Sequence, residues 1–459
     1  MKMVLLAVLM AVVTLTAFAE GPEFIWKGEF RTRTQTYKAP AEDGDIQQWI
    51  DSRVRLYMTS KFSDSLAFTY GIEVGDVKWG ETAKGMPRDG INVETKHMYL
   101  DFTPDALESM KFRMGLQPLK DAFGSAIFDE DAVAFMVMPK MENTKINFGY
   151  VYMNDRMGAK NGAPTYTTVT SESKLMPVVA GSYSDLHFAM FDMNYAMNED
   201  MNILFGAYYM NGKARDHKII TPYIDTDDHL ELIRNTSNAN SLWTGIGMTN
   251  KMNDTMTVGA QFIYLTEGVS ATDIVVTEVG ENGDVSIEEV LDYPSSHAFS
   301  YFAYAYGQYK MNDTTSFKLN FGYMPGPDGA DMTSFHGINN MDYWTNFGLE
   351  YAFKGPVYDV NQGRLDYFDK GLMVISMNAD FGLVYGNIGY MSATSSLLED
   401  ADISKYLGME FDLGMKYEIT KGLKMQVVGA FFLPGAYYED LGNENEIGYE
   451  LASIFKYSF

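Results

Sequence analysis

Arginines recur at every second position in two segments near the beginning of the chain. Glu29, Arg31 and Arg33 share one parity, and Arg53 and Arg55 repeat the same spacing in the next segment. Alternate side chains of an extended strand point to one face, so this spacing predicts a line of guanidinium groups across one face of a sheet. Such a line could attract anions and orient dipolar solutes that pass along it.

Further polar side chains extend this predicted wall and come from three other segments with alternating apolar and polar residues. They are Lys111, Arg113, Glu73, His97 and Asp101. Two interpretations stay open: a basic constriction that favours anionic solutes, or a mixed lining with little net selectivity, in which the basic groups pair with acids. The acids that could pair with them are Glu29, Glu73, Asp101, Glu410 and Asp412.

Other kinds of site find little support in the residues. The chain has no Cys, and its six His are scattered, so we expect no cofactor and no metal site. Asp292, Ser295, Ser296 and His297 lie close together, but nothing nearby is suited to activate a nucleophile, and we expect no enzyme. A net charge of −26 argues against nucleic acid as a partner.

The first 19 residues differ in kind from the rest of the chain. Lys2 precedes an apolar run from Val4 to Val13, and Ala17-Phe18-Ala19 forms a small-x-small cleavage site. This pattern predicts a secretory signal peptide over 1–19, and the run is too short for a membrane-spanning helix. We therefore expect residues 20–459 to leave the cytoplasm and fold as one unit.

Short turns and long polar connections alternate along this unit. Eight short turns include the related segments 62–66, 197–201, 252–256 and 311–314, in which Asn, Asp and Ser suit tight-turn dihedrals. Nine connections are much longer. This asymmetry is typical of an antiparallel transmembrane β-barrel with short periplasmic turns and long extracellular loops, and it predicts 18 strands, with 16 and 20 as alternatives. Because Arg or Lys facing lipid at mid-depth costs about 2–4 kcal/mol, the basic line must then face the lumen.

One segment complicates the count of strands. Residues 343–353 read as a strand, but both ends of the barrel lie on one side only if the number of strands is even. We therefore place this segment within the long loop 325–370, where its apolar content is unusual for a free surface loop. The loop is the best candidate for a constriction inside the lumen, formed by Tyr343, Trp344, Phe347 and Tyr351.

The C-terminal segment carries the most specific local pattern. Tyr449, Leu451, Phe455, Tyr457 and Phe459 share one parity, and Phe459 is the last residue. Here the chain resembles the bacterial outer-membrane porins, whose last strand ends in an aromatic residue. The number of strands and the Arg-bearing first strands are also similar to the alginate-export-type barrels of 18 strands.

The resemblance implies a location and a role. It implies an outer-membrane channel for passive diffusion of small hydrophilic solutes, in contact with outer-membrane lipid and lipopolysaccharide, with homotrimers as one assembly. It also implies that the barrel-assembly machinery reads Tyr457 and Phe459. Two alternatives stay open: a substrate-specific channel or exporter for anionic saccharides or other anions, and a structural or adhesive protein whose acidic loops are the functional surface.

Overall fold

The computed structural model describes residues 21–40, 46–78, 93–153, 186–213, 238–269, 272–279, 285–293, 296–326, 335–338, 345–353, 370–396, 398, 403–441 and 446–459. The predicted signal peptide and two of the predicted constriction residues, Tyr343 and Trp344, lie outside these ranges. No helix in the described residues is long and apolar enough to cross a membrane.

Twenty strands account for most of the described chain. The first ten are Glu23–Lys38 (β1), Gln47–Ser63 (β2), Leu66–Lys78 (β3), Val93–Phe102 (β4), Met110–Lys120 (β5), Asp129–Pro139 (β6), Thr144–Met153 (β7), Leu186–Ala196 (β8), Met201–Lys213 (β9) and Asn238–Lys251 (β10). The others are Met256–Val269 (β11), Thr272–Val279 (β12), Val285–Tyr293 (β13), Ser296–Lys310 (β14), Ser316–Met324 (β15), Leu372–Asp380 (β16), Val384–Ser392 (β17), Tyr406–Thr420 (β18), Leu423–Pro434 (β19) and Gly448–Ser458 (β20). A 3₁₀ turn at Asp105–Leu107 and a short helix at Ala436–Asp440 (α1) complete these elements.

Eighteen of these strands close into one antiparallel barrel, which confirms the predicted fold and number of strands. Each strand pairs with its neighbour in sequence, β14 follows β11, and β20 pairs with β1 to close the sheet. Strands β12 and β13 form a separate hairpin within the connection between β11 and β14. Residues 345–353 form turns and no strand, as the even count required.

The two faces of the barrel wall differ in chemistry. Large apolar side chains such as Phe30, Ile246 and Leu413 are exposed on the outer face. The side chains of opposite parity, such as Arg33 and Glu410, are buried on the inner face. Because an apolar band on the outside is what a bilayer requires, the alternation that predicted two environments corresponds to lipid outside and lumen inside.

The short turns are held by local hydrogen bonds of the predicted kind. The side-chain oxygens of Asn198, Asn253 and Asn312 each accept backbone N–H bonds from the residues two and three positions further on. An Asn in this position replaces a backbone acceptor and fixes the turn. The three turns are adjacent in the barrel, so a repeated sequence marks one end of it.

The last residue seals the junction between the first and last strands. Backbone N–H and C=O groups of Phe459 and Gly28 exchange two hydrogen bonds of 3.1 and 3.0 Å. The ring of Phe459 stacks on Tyr457 and lies where a Cβ at position 28 would be, so a larger residue there would displace the ring. Recognition of these residues by the assembly machinery stays a prediction.

Candidate functional site in the barrel lumen

One side of the lumen carries a dense set of charged groups, which we call the charged wall. Its basic members are Arg31, Arg33, Arg53, Arg55, Lys96, Lys111, Arg113 and Lys456, and its acidic members are Glu29, Asp51, Glu73, Asp101 and Asp131. Strands β1 to β6 and β20 supply them. They lie side by side because the first and last strands of the chain are neighbours in the closed sheet.

Eight basic groups in this wall share five carboxylates. Asp51 contacts both Arg31 and Arg33, at 3.5 and 3.0 Å. In the same way Arg53 and Lys456 share Glu29, at 3.1 and 2.6 Å. A carboxylate that serves two cations neutralises only one of them, so the basic groups in these ion pairs outnumber their carboxylate partners. Glu450 on β20, which is buried and interacts electrostatically with Arg33, adds one further acid to this side of the lumen. The described ion pairs are those of a mixed lining, and a net preference for anions stays a prediction.

The structure places the predicted wall residues on one surface but changes some of their partners. Arg113 makes a bidentate bond to Asp101, with distances of 2.7 and 2.9 Å, and Arg55 pairs with Glu73. The prediction that Glu410 and Asp412 pair with the basic line is not what the structure shows. They accept hydrogen bonds from backbone N–H groups of an inward-folded loop, and Asp412 also accepts one from the side-chain amide of Asn387 on β17.

A β-bulge adds a basic group that parity did not predict. The register of β3 and β4 shifts so that Gly71 is opposite His97 while Ile72 is opposite Thr95, which leaves Lys96 as the extra residue. Lys96 and His97, though neighbours in sequence, both reach Asp131, at 2.6 and 3.1 Å. Strict alternation assigns these two side chains to opposite faces, so no pattern in the sequence pointed to Lys96.

Residues 345–353, which we call the inner segment, lie on the lumenal side of β16 to β19 and reach Tyr37 on β1. Phe347 and Tyr351 are almost fully buried in these contacts, and their part in a constriction stays a prediction. Tyr351 stacks between Tyr37 and Phe432, with both ring centroids 5.6 Å away. The Phe347 carbonyl accepts hydrogen bonds from Ser376 and Asn378 on β16.

Two carboxylates on β18 anchor the inner segment by its backbone. Glu410 accepts the N–H groups of Tyr351 and Ala352 at 2.7 and 2.8 Å, and Asp412 accepts the N–H of Glu350 at 3.2 Å. Both side chains are buried, and a buried backbone N–H group that lacks an acceptor costs about 1–3 kcal/mol. The clamp therefore holds a loop that lacks regular secondary structure of its own.

A second loop, residues 121–128 between β5 and β6, also folds into the lumen. The carboxylate of Asp121 accepts four backbone N–H bonds, from Phe123, Ser125, Ile127 and Phe128. Burial raises the pKa of this carboxyl, while the four donors act in the opposite direction. The loop is thus wound around a single acceptor. No pattern in the sequence indicated that residues 121–128 fold into the lumen.

The ring of Phe123 explains why two inward positions on β9 and β10 are glycines. A Cβ at Gly206 or Gly245 would approach this ring to 2.7 or 2.5 Å. No larger residue fits at such distances, so the two glycines leave the space that the Phe123 ring occupies. The carbonyl of Phe123 in turn accepts a hydrogen bond from Gln261 on β11.

A short piece of the long loop, residues 335–338, packs against the loop 121–128 and the lumenal side of β10, β11 and β14. The Ile338 N–H donates to the Ile127 carbonyl at 2.7 Å, and the Trp243 indole N–H donates to the His336 carbonyl at 2.8 Å. His336 Nε2 lies 3.0 Å from the carboxylate of Glu267 on β11. Phe335 packs on Phe302, with centroids 5.6 Å apart. One wall of the lumen, from β8 to β19, is therefore covered by packed loops.

Loss of the Asp121 acceptor should free the loop 121–128. In Asp121→Ala four buried N–H groups lose their partner, and each such group costs about 1–3 kcal/mol. We expect trypsin to cut after Lys120 about tenfold faster in the folded barrel, because local opening exposes the bond. Asp105→Ala, an exposed acid in the turn at the other end of β5, is the matched control. Unchanged cleavage of Asp121→Ala would contradict the role given to this carboxylate.

The His336–Glu267 pair should make the docking of 335–338 depend on pH. Burial alone lowers the pKa of the His336 imidazole, but Glu267 and the Gly337 carbonyl raise it, and the net shift is upward from 6.5. The pair therefore stabilises docking fully below pH 6.5, and this stabilisation is lost as the pH rises through the higher pKa of the folded state. We expect open-channel current noise to increase on that rise, and His336→Gln to remove the step. A step that persists in His336→Gln would assign it to another group.

Among the described residues, no cluster of three or more His, Cys, Asp or Glu is arranged to hold a metal ion.

No family model matches the chain, and no curated protein matches it.

Solved structures show the same architecture at low sequence identity. OccAB1 of Acinetobacter baumannii matches with a TM-score of 0.53 and 12% identity, covering 95% of this chain and 96% of that one. OpdK and OpdQ of Pseudomonas aeruginosa, the former solved with vanillate, each match with a TM-score of 0.50 and 11% identity, covering 95% of this chain and 98% of theirs. These neighbours are outer-membrane β-barrels of the porin type. The shared fold and the apolar outer face place the chain in the outer membrane.

Proposed function

We propose that the protein is a channel for small hydrophilic solutes, with a preference for anions, and that they pass along the charged wall. The observation that carries this proposal is the sharing of five carboxylates by eight basic groups on one side of the lumen. Partly exposed groups such as Lys111 and Lys456 keep donors that a passing anion can contact. The proposal assigns passage, not catalysis.

The position of the inward loops supports an off-centre path. The loop 121–128, residues 335–338 and the inner segment cover β8 to β19, and the inner segment also reaches β1 at Tyr37. The charged wall is formed by β1 to β6 and β20. Solutes would then move between packed loops on one side and ion pairs on the other. Such a narrowed lumen favours a selective channel for organic or saccharide anions over a wide diffusion pore. OpdK, which has this fold, was solved with vanillate.

Uptake into liposomes tests the proposal. Liposomes that contain the purified barrel should take up a six-carbon sugar acid faster than the neutral sugar of the same length, and empty liposomes should admit neither. Faster entry of the neutral sugar would overturn the anion preference. Entry of neither solute would overturn the channel itself and favour the structural or adhesive alternative. Assembly as a homotrimer stays a prediction, which the mass of the detergent-solubilised complex would test.

A further inference from the structure

The membrane-facing surface carries a groove at the end of the barrel where the long loops emerge. Strands β9, β10, β11 and β14 form it, and its volume is about 510 Å³. The groove lies on the outside of the barrel, because eight of its eleven lining residues have the parity of the exposed apolar face; the other three, Ser241, Glu267 and Ala298, alternate with them and have the parity of the inner face. It is therefore separate from the lumen and does not depend on the solute that passes there.

Two rows of side chains run across the four strands in register. The outer row, nearer the long loops, consists of Asn211, Asn240, Gly268 and His297. The inner row, one pleat deeper in the membrane, consists of Tyr209, Leu242, Thr266 and Phe299. Uncharged hydrogen-bonding groups thus lie directly above a mainly apolar floor.

The floor is open and its polar border is ordered. Leu242 and Tyr264 are 39% and 38% exposed, and Tyr264 stacks on Phe299 with centroids 6.3 Å apart. The Tyr209 hydroxyl donates to the Asn240 side-chain oxygen at 3.3 Å and accepts from the Asn211 amide at 3.2 Å. Gly268 has no side chain, so the groove is deeper in the middle of the outer row. A Cβ at this position would lie beside the His297 ring and occupy that space.

We propose that this groove binds one molecule of the outer-leaflet glycolipid, lipopolysaccharide. The groove is continuous with the surface that lipid covers, and it lies at the level where acyl chains meet headgroups on the extracellular side. An acyl chain fits the inner row, and the hydroxyl and amide groups of an acylated sugar fit the outer row. The four residues of the outer row include no Lys or Arg, so the row matches the neutral part of the sugar and not its phosphates.

Retention of purified lipid A by the detergent-solubilised barrel, measured by native mass spectrometry, tests the site. Asn240→Leu combined with His297→Leu removes the hydrogen-bonding groups, and Gly268→Leu fills the groove. Each variant should retain about tenfold less lipid A than the parent barrel. Gly307→Leu is the matched control, because Gly307 also faces lipid on β14, near the other end, and a Cβ there meets nothing within 4 Å. It should retain lipid A normally.

Three results would overturn the proposal. Equal retention by all variants would show that the groove does not select lipid A. Equal competition by phosphatidylethanolamine would show an ordinary lipid-covered surface. Crosslinking between copies that carry His297→Cys, in membranes, would show that a second copy of the chain covers the groove. Heat-dependent migration of each variant in electrophoresis verifies that the barrel has folded.

Discussion

Replacement of Glu410 and Asp412 by alanine is expected to raise the single-channel conductance on the order of twofold, because the inner segment loses its clamp. Three buried backbone N–H groups, those of Glu350, Tyr351 and Ala352, lose their acceptors. Each unsatisfied group costs about 1–3 kcal/mol, which the remaining contacts of the segment must offset. Long-lived openings to a larger, noisier state should appear in planar bilayers.

The matched control for this prediction lies on the same strand. Glu418→Ala removes a carboxylate of the same parity, near the short-turn end of β18, whose described hydrogen bond is to the Gly422 N–H in the adjacent turn. It should leave the conductance unchanged. If Glu410→Ala and Asp412→Ala together also left the conductance unchanged, the inner segment would be either firmly held without the clamp or remote from the path.

Replacement of Arg31, Arg33, Arg53 and Arg55 by glutamine should reverse the ion selectivity. In the parent barrel eight basic groups share five carboxylates, and in the variant four basic groups remain against the same five. The excess charge of the wall changes from positive to negative. We expect the reversal potential in a KCl gradient to change from the sign of anion preference to that of cation preference. Low salt gives the largest effect, because the Debye length is about 10 Å at 0.1 M and about 30 Å at 0.01 M.

A smaller variant separates selectivity from stability. The fourfold variant removes Arg31 and Arg33, which both contact buried Asp51, and a buried carboxylate without basic partners destabilises the fold. In Arg53→Gln with Arg55→Gln, Lys456 and Lys96 still contact the carboxylates that lose an arginine. This double variant should show a reduced anion preference. Lys61→Gln, which removes an exposed lysine at a short turn, should show none of this change, and an equal shift there would assign the selectivity to surface charge.

The fold could be predicted from the sequence because its signals are local. Alternation within strands, Asn-containing short turns and the aromatic last strand each report on a few neighbouring residues. The even number of strands then placed 343–353 in a loop, and the described part, 345–353, contains no strand. The hairpin of β12 and β13 was not predicted from the sequence. Its residues were read as one long polar connection, because the pairing of its two halves is not visible in the sequence.

The contacts inside the lumen were harder to predict from the sequence, because they join residues that are far apart in the chain. The alternation of residues predicted that Arg31, Arg33, Arg53 and Arg55 share one face, but a β-bulge also brings Lys96 to that face. A bulge cannot be recognised from the alternation of apolar and polar residues. Asp51 has the parity of Arg53 and could have been recognised as a partner. The acceptor role of Asp121 depends on how a loop winds around it and on two glycines in distant strands. No spacing in the sequence encodes that arrangement.

The reversal potential of the parent barrel, measured in a planar bilayer under a tenfold KCl gradient, tests the central claim most directly. The charged wall predicts an open, water-filled channel whose reversal potential has the sign of anion preference. A silent bilayer, or a reversal potential with the sign of cation preference, would contradict it.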